Sequence, residues 1–382
     1  MGCFIMKRVI LVLGLLCTAA AVVLTILFNN SCSNIKNKGE LVIEQYYNTP
    51  GIQGKIYGDR LVVYDGDLNI IDLKTKSLVK KIEVPGKKVL GFDIYEDKLV
   101  WSDLRNEKNS DKLNKNPEIC NSDIFLYNLK DDTTAQITTD GTAQTNPTIW
   151  GNYIAWQDNR NDELEDDFPQ WNIYLYNIGE KSERRITTAE GVHTNCHIYN
   201  NKLIWEDGRY ARGAQSERFD YELPSNNTDI YMYDIDEDKY QPVAYGKYKE
   251  CRPAINANSI IWEDRNNYEH NAEIMLYDIK TYAVKNLTKD AYNQIKPVIS
   301  NEVAAWVDER RGTEKFDGIP KERSGNSDIC LYDIRTGRQQ LIEEEGVQTD
   351  CAITPSYVVY TSKINEKEST VKVAKYERKL NG

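Results

Sequence analysis

The chain has 382 residues, a formal net charge of −11 at pH 7 and a pI near 5.1. This acidity argues against sequence-independent binding of nucleic acid, which requires clustered Lys and Arg side chains. The 25 Tyr and 7 Trp residues favour strands over helices.

The N-terminus contains the one strongly apolar stretch. Residues 9–28 carry no charge, and a helix of that length rises roughly 30 Å, the thickness of the hydrocarbon core of a bilayer. Lys7 and Arg8 precede it, so the positive-inside tendency predicts a cytoplasmic segment 1–8, a single-pass signal anchor 9–28 and a linker 29–40 at the cell membrane, with the rest extracytoplasmic. A cleaved signal peptide and lipid attachment at Cys17 or Cys32 remain alternatives.

A short motif of Trp, any residue and Asp recurs five times, and Arg follows shortly each time. The sets are Trp101, Asp103 and Arg105; Trp156, Asp158 and Arg160; Trp205, Asp207 and Arg209; Trp262, Asp264 and Arg265; Trp306, Asp308 and Arg310. A second motif, close to Asp-Ile-Tyr-Leu-Tyr-Asp-Ile, follows each set and begins at Asp123, Asn172, Asp229, Glu273 and Asp328. Self-similarity of this kind is typical of repeat architectures.

The spacing of the two motifs separates framework from loops. The second motif is followed by the next Trp after 33 residues in all four cases, for example from Asp123 to Trp156. Each Trp is followed by its own second motif after 22, 16, 24, 11 and 22 residues. Because loops tolerate insertions and paired strands do not, the variable connections are predicted loops at 106–122, 161–171, 210–228, 266–272 and 311–327.

Each repeat is interpreted as four strands. In the copy around Trp156, we expect strands at 147–149, 153–157, 172–178 and 184–187, with turns at 151–152 and 179–182. Four antiparallel strands repeated about every 50 residues are typical of a β-propeller. Weaker copies at 57–73 and 351–376 raise the count to seven. The predicted fold is therefore an all-β, seven-bladed propeller of four-stranded antiparallel blades over 41–382, preceded by one transmembrane helix.

The last copy has room for only three strands. We expect residues 41–46 to supply its fourth, outermost strand, which joins the two ends of the chain and removes an open sheet edge.

At the two repeated motifs the chain resembles the TolB-like (WD40-like) β-propellers, in particular their many-copy, surface-displayed versions. The resemblance covers about residues 51–376. It implies a propeller fold and protein-binding or envelope-associated roles, and it supplies no catalytic residues.

The repeated Asp and Arg are interpreted as structural. We expect each Asp to accept hydrogen bonds from turn amides and each Arg to pair with a carboxylate of a neighbouring blade. A ring of Arg that binds an anionic ligand is the alternative.

No catalytic residue, cofactor or metal site is predicted. Gly-x-Ser-x-Gly is absent, and no Cys/His spacing typical of zinc occurs. His193 and His197 lie in one predicted strand, and the run from Asp234 to Asp238 is predicted to be a hairpin turn rather than a calcium loop. Internal pairing of all five cysteines of the globular part is impossible, and the pairing is left open.

The functional prediction is a non-enzymatic binding or scaffold propeller whose partner, a protein or a glycan of the cell envelope, binds at the loop-rich face. A carbohydrate-active propeller, either a polysaccharide lyase or a glycosidase, is the alternative.

The predicted binding residues lie just before the innermost strands, at alternate positions that strand geometry would aim in one direction, into the mouth of the central channel. They are Gln144 and Asn146, His193 and Asn195, Glu250 and Arg252, Gln294 and Lys296, and Gln348 and Asp350.

Overall fold

The computed structural model describes residues 40–109, 119–162, 170–209, 227–246, 248–265, 271–311, 314–316, 319–321, 326–363 and 368–379. The chain divides into a small unit of residues 1–42 and 377–382 and a large unit, Ile43–Tyr376. Of the small unit, only the ends of two strands belong to the described residues. The large unit is an all-β propeller of seven four-stranded blades.

The strands follow one another blade by blade. Strand β1 (Glu40–Pro50) precedes the first blade. Blade 1 consists of β2 (Gln53–Tyr57), β3 (Arg60–Tyr64), β4 (Leu68–Asp72) and β5 (Ser77–Ile82), and a short 3-10 helix follows at Pro85–Lys87. Blade 2 consists of β6 (Val89–Tyr95), β7 (Lys98–Asp103), β8 (Asp123–Asn128) and β9 (Thr133–Gln136). Blade 3 consists of β10 (Gln144–Trp150), β11 (Tyr153–Asp158), β12 (Asn172–Asn177) and β13 (Ser182–Arg185).

The remaining blades repeat this order. Blade 4 consists of β14 (His193–Tyr199), β15 (Lys202–Asp207), β16 (Asp229–Asp234) and β17 (Lys239–Ala244). Blade 5 consists of β18 (Glu250–Ile255), β19 (Ser259–Asp264), β20 (Glu273–Asp278) and β21 (Val284–Asn286). Blade 6 consists of β22 (Gln294–Ser300), β23 (Val303–Asp308), a small hairpin of β24 (Glu314–Phe316) and β25 (Ile319–Lys321), then β26 (Asp328–Asp333) and β27 (Arg338–Ile342). Blade 7 contains β28 (Val347–Ile353), β29 (Tyr357–Lys363) and β30 (Ser369–Lys379).

The seventh blade is completed by the other end of the chain. Its strand order is β28, β29, β30 and β1, so β1 is the outermost strand, as the sequence predicted. The Tyr360 hydroxyl donates to Gln45 Oε1 at 3.1 Å, and the Tyr46 ring lies 5.4 Å from the ring of Tyr357. The Tyr46 hydroxyl also reaches Leu73 O of the first blade at 3.0 Å. The ring of blades is therefore closed by strands from both ends of the chain.

The hydrophobic core lies between neighbouring blades. One buried cluster joins Ala155 and Ile173 of blade 3 to Leu203, Trp205 and other residues of blade 4. Equivalent clusters join blades 2 and 3, 4 and 5, and 5 and 6. Because neighbouring blades cover both faces of each blade, the central strands of a blade are apolar on both sides. This explains the runs of Ile, Leu, Val and aromatic residues in the second motif.

Short turns close the face opposite the variable loops. In blade 4, Asp234 Oδ1 accepts the backbone N–H groups of Asp236 and Glu237, both at 3.1 Å, and Asp238 follows with φ of 52°. The side chain thus satisfies the amides of the turn, and Asp tolerates the left-handed conformation better than most residues. The run from Asp234 to Asp238 is the predicted hairpin turn.

The five variable connections join the second and third strands of blades 2 to 6, as predicted. In an antiparallel blade these connections lie on the same face as the links between blades, here called the loop-rich face. The described part of the chain contains no helix that is long and apolar enough to cross a membrane. The predicted anchor at 9–28 lies outside the described residues.

Candidate functional site

A bulge interrupts the innermost strand of six blades before it enters the channel. The residue at the bulge has a positive φ, between 50° and 54° in blades 3 to 7 and 104° in blade 2. The bulge residues are Gly91, Asn146, Asn195, Arg252, Lys296 and Asp350. At each of them the pairing register with the second strand shifts. A bulge re-aims side chains, because it breaks the alternation of the strand.

The predicted binding pairs are therefore separated rather than aimed in one direction. The first member of each pair is buried between blades, at 6% exposure for Glu250 and 0% for the others. These buried residues are Gln144, His193, Glu250, Gln294 and Gln348. Among the second members, Asn195, Arg252, Lys296 and Asp350 line one cavity of about 200 Å³ in the channel. Asn146, which is exposed, is not among the lining residues of that cavity.

The bulges are held by a residue that sequence reasoning overlooked, the one between Trp and Asp in the repeated motif. Gln157 Oε1 accepts the Asn195 N–H of the next blade at 2.9 Å. Glu206 Oε1 accepts the Arg252 N–H at 2.6 Å in the same way. The signal was available, because this position carries a long acceptor side chain in three consecutive blades: Gln157, Glu206 and Glu263.

The repeated Trp, Asp and Arg form one contact set, seen clearly in blade 3. The Trp156 indole N–H donates to Asp158 Oδ2 at 2.9 Å, and the Arg160 backbone N–H donates to Asp158 Oδ1 at 2.9 Å. The Arg160 guanidinium donates to the same carboxylate at 2.6 and 3.0 Å and lies 4.3 Å from the centre of the Tyr174 ring. Asp158 therefore accepts a turn amide, as expected.

The Arg pairs mainly within its own blade. The expected pairing with a neighbouring blade is secondary: Arg160 also reaches Asp140, in the link from blade 2, at 3.2 Å, and Arg310 reaches Asp290 at 3.6 Å. The same Trp–Asp–Arg contacts recur in blades 2, 4 and 6. Contacts repeated in this way stabilise the blades and leave these guanidiniums occupied.

Blade 5 departs from the pattern. Arg265 follows its Asp directly instead of two residues later, and its guanidinium donates to Glu263 Oε2 at 3.1 Å. The Trp262 indole N–H is buried without an acceptor among the described residues. Arg252 donates to both oxygens of the same Glu263 carboxylate, at 2.9 and 3.0 Å. Two guanidiniums thus share one buried carboxylate, which is the main irregularity of the ring.

This irregularity creates a basic pocket. Lys249, Arg252 and Arg265 line a cavity of about 300 Å³ together with Asn195, Glu206 and Cys251. Burial raises the pKa of Glu206 and so favours its neutral form, although hydrogen bonds from Arg252 and Asn195 oppose the shift. On the channel side, Lys296 Nζ lies 2.7 Å from Asp350 Oδ1. The pocket therefore holds three cationic side chains and the carboxyl group of Glu206, in a chain that is acidic overall.

The buried first members of the pairs include two titratable groups. Burial, with smaller contributions from Asp229 and Asp264, raises the pKa of Glu250 to about 9. Burial lowers the pKa of His193, whose Nε2 lies 3.5 Å from Asp207 Oδ2. No group of His, Cys, Asp and Glu side chains suited to a metal ion is found in the described part of the chain.

The five cysteines of the propeller are buried. They are Cys120, Cys196, Cys251, Cys330 and Cys351. Burial raises the pKa of Cys196, Cys251 and Cys351 to about 12, so these thiols stay protonated and are poor nucleophiles.

Comparison with solved structures shows the fold. The chain resembles the β-propeller domain of the Trilobed protease from Pyrococcus furiosus, with a TM-score of 0.57 and 11% identity over 89% of this chain and 100% of that domain. It also resembles the acylaminoacyl peptidase of Pyrococcus horikoshii, with a TM-score of 0.58 and 11% identity over 88% of this chain and 53% of the peptidase. TolB from Acinetobacter baumannii aligns over 90% of this chain and 80% of its own length with 13% identity and a TM-score of 0.45. No protein-family model and no curated protein sequence matches the chain.

Proposed function

We propose that this chain is a non-enzymatic binding propeller that holds an acidic group of a protein or glycan partner on its loop-rich face. The observation that carries the proposal is the shared carboxylate: Arg252 and Arg265 both pair with Glu263. Each guanidinium side chain keeps 42% exposure, whereas Glu263 is fully buried. An incoming carboxylate or phosphate would supply the second negative charge in the bidentate geometry that Arg favours.

Backbone strain supports the same location. The bulge residue is Asn in blades 3 and 4, which is suited to positive φ, but Arg252 in blade 5 and Lys296 in blade 6. A long side chain in the left-handed region costs roughly 1–2 kcal/mol relative to a favourable conformation. Such strain persists mainly where the side chain has a role. Both strained residues belong to the lining of the channel cavity.

The proposal is tested with matched Asn variants of the full chain. Arg252→Asn and Lys296→Asn replace each cation by the residue that other blades carry at the bulge, so the backbone should fold unchanged. We expect each variant to weaken binding of citrate, measured by titration calorimetry at low salt, by about tenfold. The melting temperature of Lys296→Asn should change little, whereas that of Arg252→Asn should fall, because this variant loses two hydrogen bonds to the buried Glu263 carboxylate.

Arg338→Asn, on the exposed outer strand β27, is the control and should bind citrate like the parent. The proposal fails if the two bulge variants bind citrate as tightly as the parent, or if Arg338→Asn weakens binding equally. If the two bulge variants do weaken citrate binding, a capture experiment with the full chain, with envelope proteins and glycans as prey, would identify the natural partner by its dependence on Arg252.

A further inference from the structure

The face opposite the loops holds a second cavity, of about 460 Å³, where the innermost strands end. The residue just before the turn between the first and second strands occupies the same place in every blade. In blade order this position carries Tyr57, Tyr95, Trp150, Tyr199, Asn256, Ser300 and Thr354. Four consecutive blades thus carry an aromatic ring, and the other three carry a small polar residue.

The four rings form a continuous arc. Ring centres are 4.7 Å apart between Tyr57 and Tyr95, 4.7 Å between Tyr95 and Trp150, and 4.0 Å between Trp150 and Tyr199. Each of the four side chains is partly exposed, and Tyr57, Trp150 and Tyr199 line the cavity. This arc of Tyr57, Tyr95, Trp150 and Tyr199 is called the aromatic arc below.

The asymmetry of the arc argues against a purely structural role. Residues that every blade needs recur in nearly every blade, as the buried Trp of the second strand does. The aromatic arc occupies only half of the ring, and the other half offers Ser300 and Asn301 at the same cavity. At this position the innermost strands of blades 1 to 4 therefore differ in side chain from those of blades 5 to 7, although the backbone conformation is the same.

Polar groups lie deeper in the cavity. Lys55, Asp93 and His197 belong to its lining, one each from blades 1, 2 and 4. Asp93 Oδ2 accepts the Thr148 hydroxyl at 3.0 Å and the Ile149 N–H at 3.1 Å. The side chains of Lys55 and His197 have no hydrogen-bond partner in the described part of the chain. Burial lowers the pKa of His197 to about 3, so its imidazole is neutral and offers one donor and one acceptor.

We propose that this cavity binds a saccharide, with one pyranose ring stacked on the aromatic arc and its hydroxyl groups directed toward Lys55, His197 and Ser300. The face of a pyranose carries C–H groups that complement the electron-rich face of an aromatic ring, and its edge carries hydroxyls. A volume of about 460 Å³ lies within the range of roughly 300–1,000 Å³ usual for ligand pockets. The arc and the polar groups match these two sides of a sugar.

Two other readings of an aromatic cavity are weaker. A cationic ligand would meet the Lys55 ammonium at the inner end of the cavity. Glycoside hydrolysis requires two carboxyl groups placed about 5–10 Å apart, and Asp93 is the only carboxylate among the described lining residues. The site therefore fits binding of a sugar rather than its cleavage.

The test uses the full chain and a panel of hexasaccharides: β-1,4- and α-1,4-linked glucose, β-1,4-linked xylose, mannose and N-acetylglucosamine, and α-1,4-linked galacturonate. We expect at least one series to bind, detected on an array and by a change in tryptophan fluorescence. Ser300→Tyr introduces at blade 6 the residue that three other blades carry there, so it should fold normally and fill the cavity. It should weaken binding at least tenfold, and Trp150→Phe about fivefold.

Trp171→Phe, at the loop-rich end of blade 3, is the matched control and should leave saccharide binding unchanged. Lys55 and His197 line this cavity and also the channel cavity that holds Arg252 and Lys296, so competition with citrate does not separate the two sites. The variants separate them: Arg252→Asn should leave saccharide binding unchanged, and Ser300→Tyr should leave citrate binding unchanged, so either proposal can fail alone. The inference is overturned if no hexasaccharide of the panel binds, if Ser300→Tyr binds like the parent, or if phosphorylcholine or an aromatic peptide binds the arc instead. If Trp150→Phe fails to fold, Ser300→Tyr decides the question.

Discussion

Glu250 should make the free energy of unfolding of the propeller depend on pH. Its pKa is raised to about 9 by burial in the folded chain, against about 4.3 in an unfolded one. Between these values the folded state keeps a proton that the unfolded state has lost. The free energy of unfolding therefore falls as the pH rises through this window, because a proton must be bound on folding.

Glu250→Gln should remove this dependence. Gln occupies the aligned positions 144, 294 and 348, so the substitution suits the site. We expect the variant to unfold in urea with a free energy roughly 2 kcal/mol higher than the parent at pH 8, and with little difference near pH 4. Gln294→Glu is the reciprocal control and should destabilise blade 6 at pH 8. Parallel pH profiles for parent and Glu250→Gln would contradict the assignment.

Two buried Trp residues allow the contribution of packing to stability to be separated from that of the indole hydrogen bond. Trp156 donates its indole N–H to Asp158 at 2.9 Å, whereas the Trp262 N–H has no acceptor among the described residues, and both rings are buried. Trp→Phe removes similar volume at either site but breaks a hydrogen bond only in blade 3. We expect Trp156→Phe to cost about 1–2 kcal/mol more than Trp262→Phe in urea unfolding. Equal losses would mean that the bond to Asp158 contributes little.

At the scale of elements, β1 is the strand whose removal should matter most. Deleting residues 41–47 takes away the outer strand of blade 7 and leaves β30 as an open edge. It also removes the Tyr46 contacts with Leu73 and Tyr357. We expect a fall in melting temperature of more than about 10 °C by scanning calorimetry.

A deletion of equal length within the variable connection of blade 4, residues 213–219, is the control and should change the melting temperature by only a few degrees. If the protein without 41–47 melts with the parent, the ring does not depend on closure by β1.

The strands were predictable because their spacing is rigid, and the bulges were not. The turn at Gly151 and the strand from Tyr153 could be placed from the sequence, since Gly-Asn and the alternating apolar residues have direct physical meaning. A positive φ is expected at Asn146 or Asn195, but nothing in the residue type predicts it at Arg252 or Lys296. A bulge shifts the alternation of the strand, so the residues before it point to the opposite side from the one predicted. For this reason half of the predicted channel residues are buried.

At the scale of the whole molecule, the two ends of the channel differ in chemistry. The loop-rich end has Lys and Arg side chains at the bulges, and the opposite end has the aromatic arc. The loop-rich end could be predicted from the sequence, because the spacing between the two repeated motifs varies only in these loops. The aromatic arc was not predicted, because only the position of its four residues around the ring of blades shows that they occupy one half of the ring.

The orientation of the propeller across the membrane stays a prediction, since residues 9–28 lie outside the described part of the chain. The uncharged stretch with Lys7 and Arg8 on its short side predicts that the blades face outward. Protease added to intact cells, stripped of any wall, should digest the propeller and leave a cytoplasmic marker protein whole. Digestion only after lysis would reverse the orientation.

Closure by β1 has a mechanical consequence. Because β1 is both the first strand of the described residues and the outer strand of blade 7, tension applied through the residues before it acts first on the ladder between β1 and β30. Peeling β1 away breaks the bonds of one strand and leaves the inner three strands of blade 7 paired. Under tension the pairing between β1 and β30 should break before the core between the blades opens. The exposed edge of β30 could then pair with a strand from another chain.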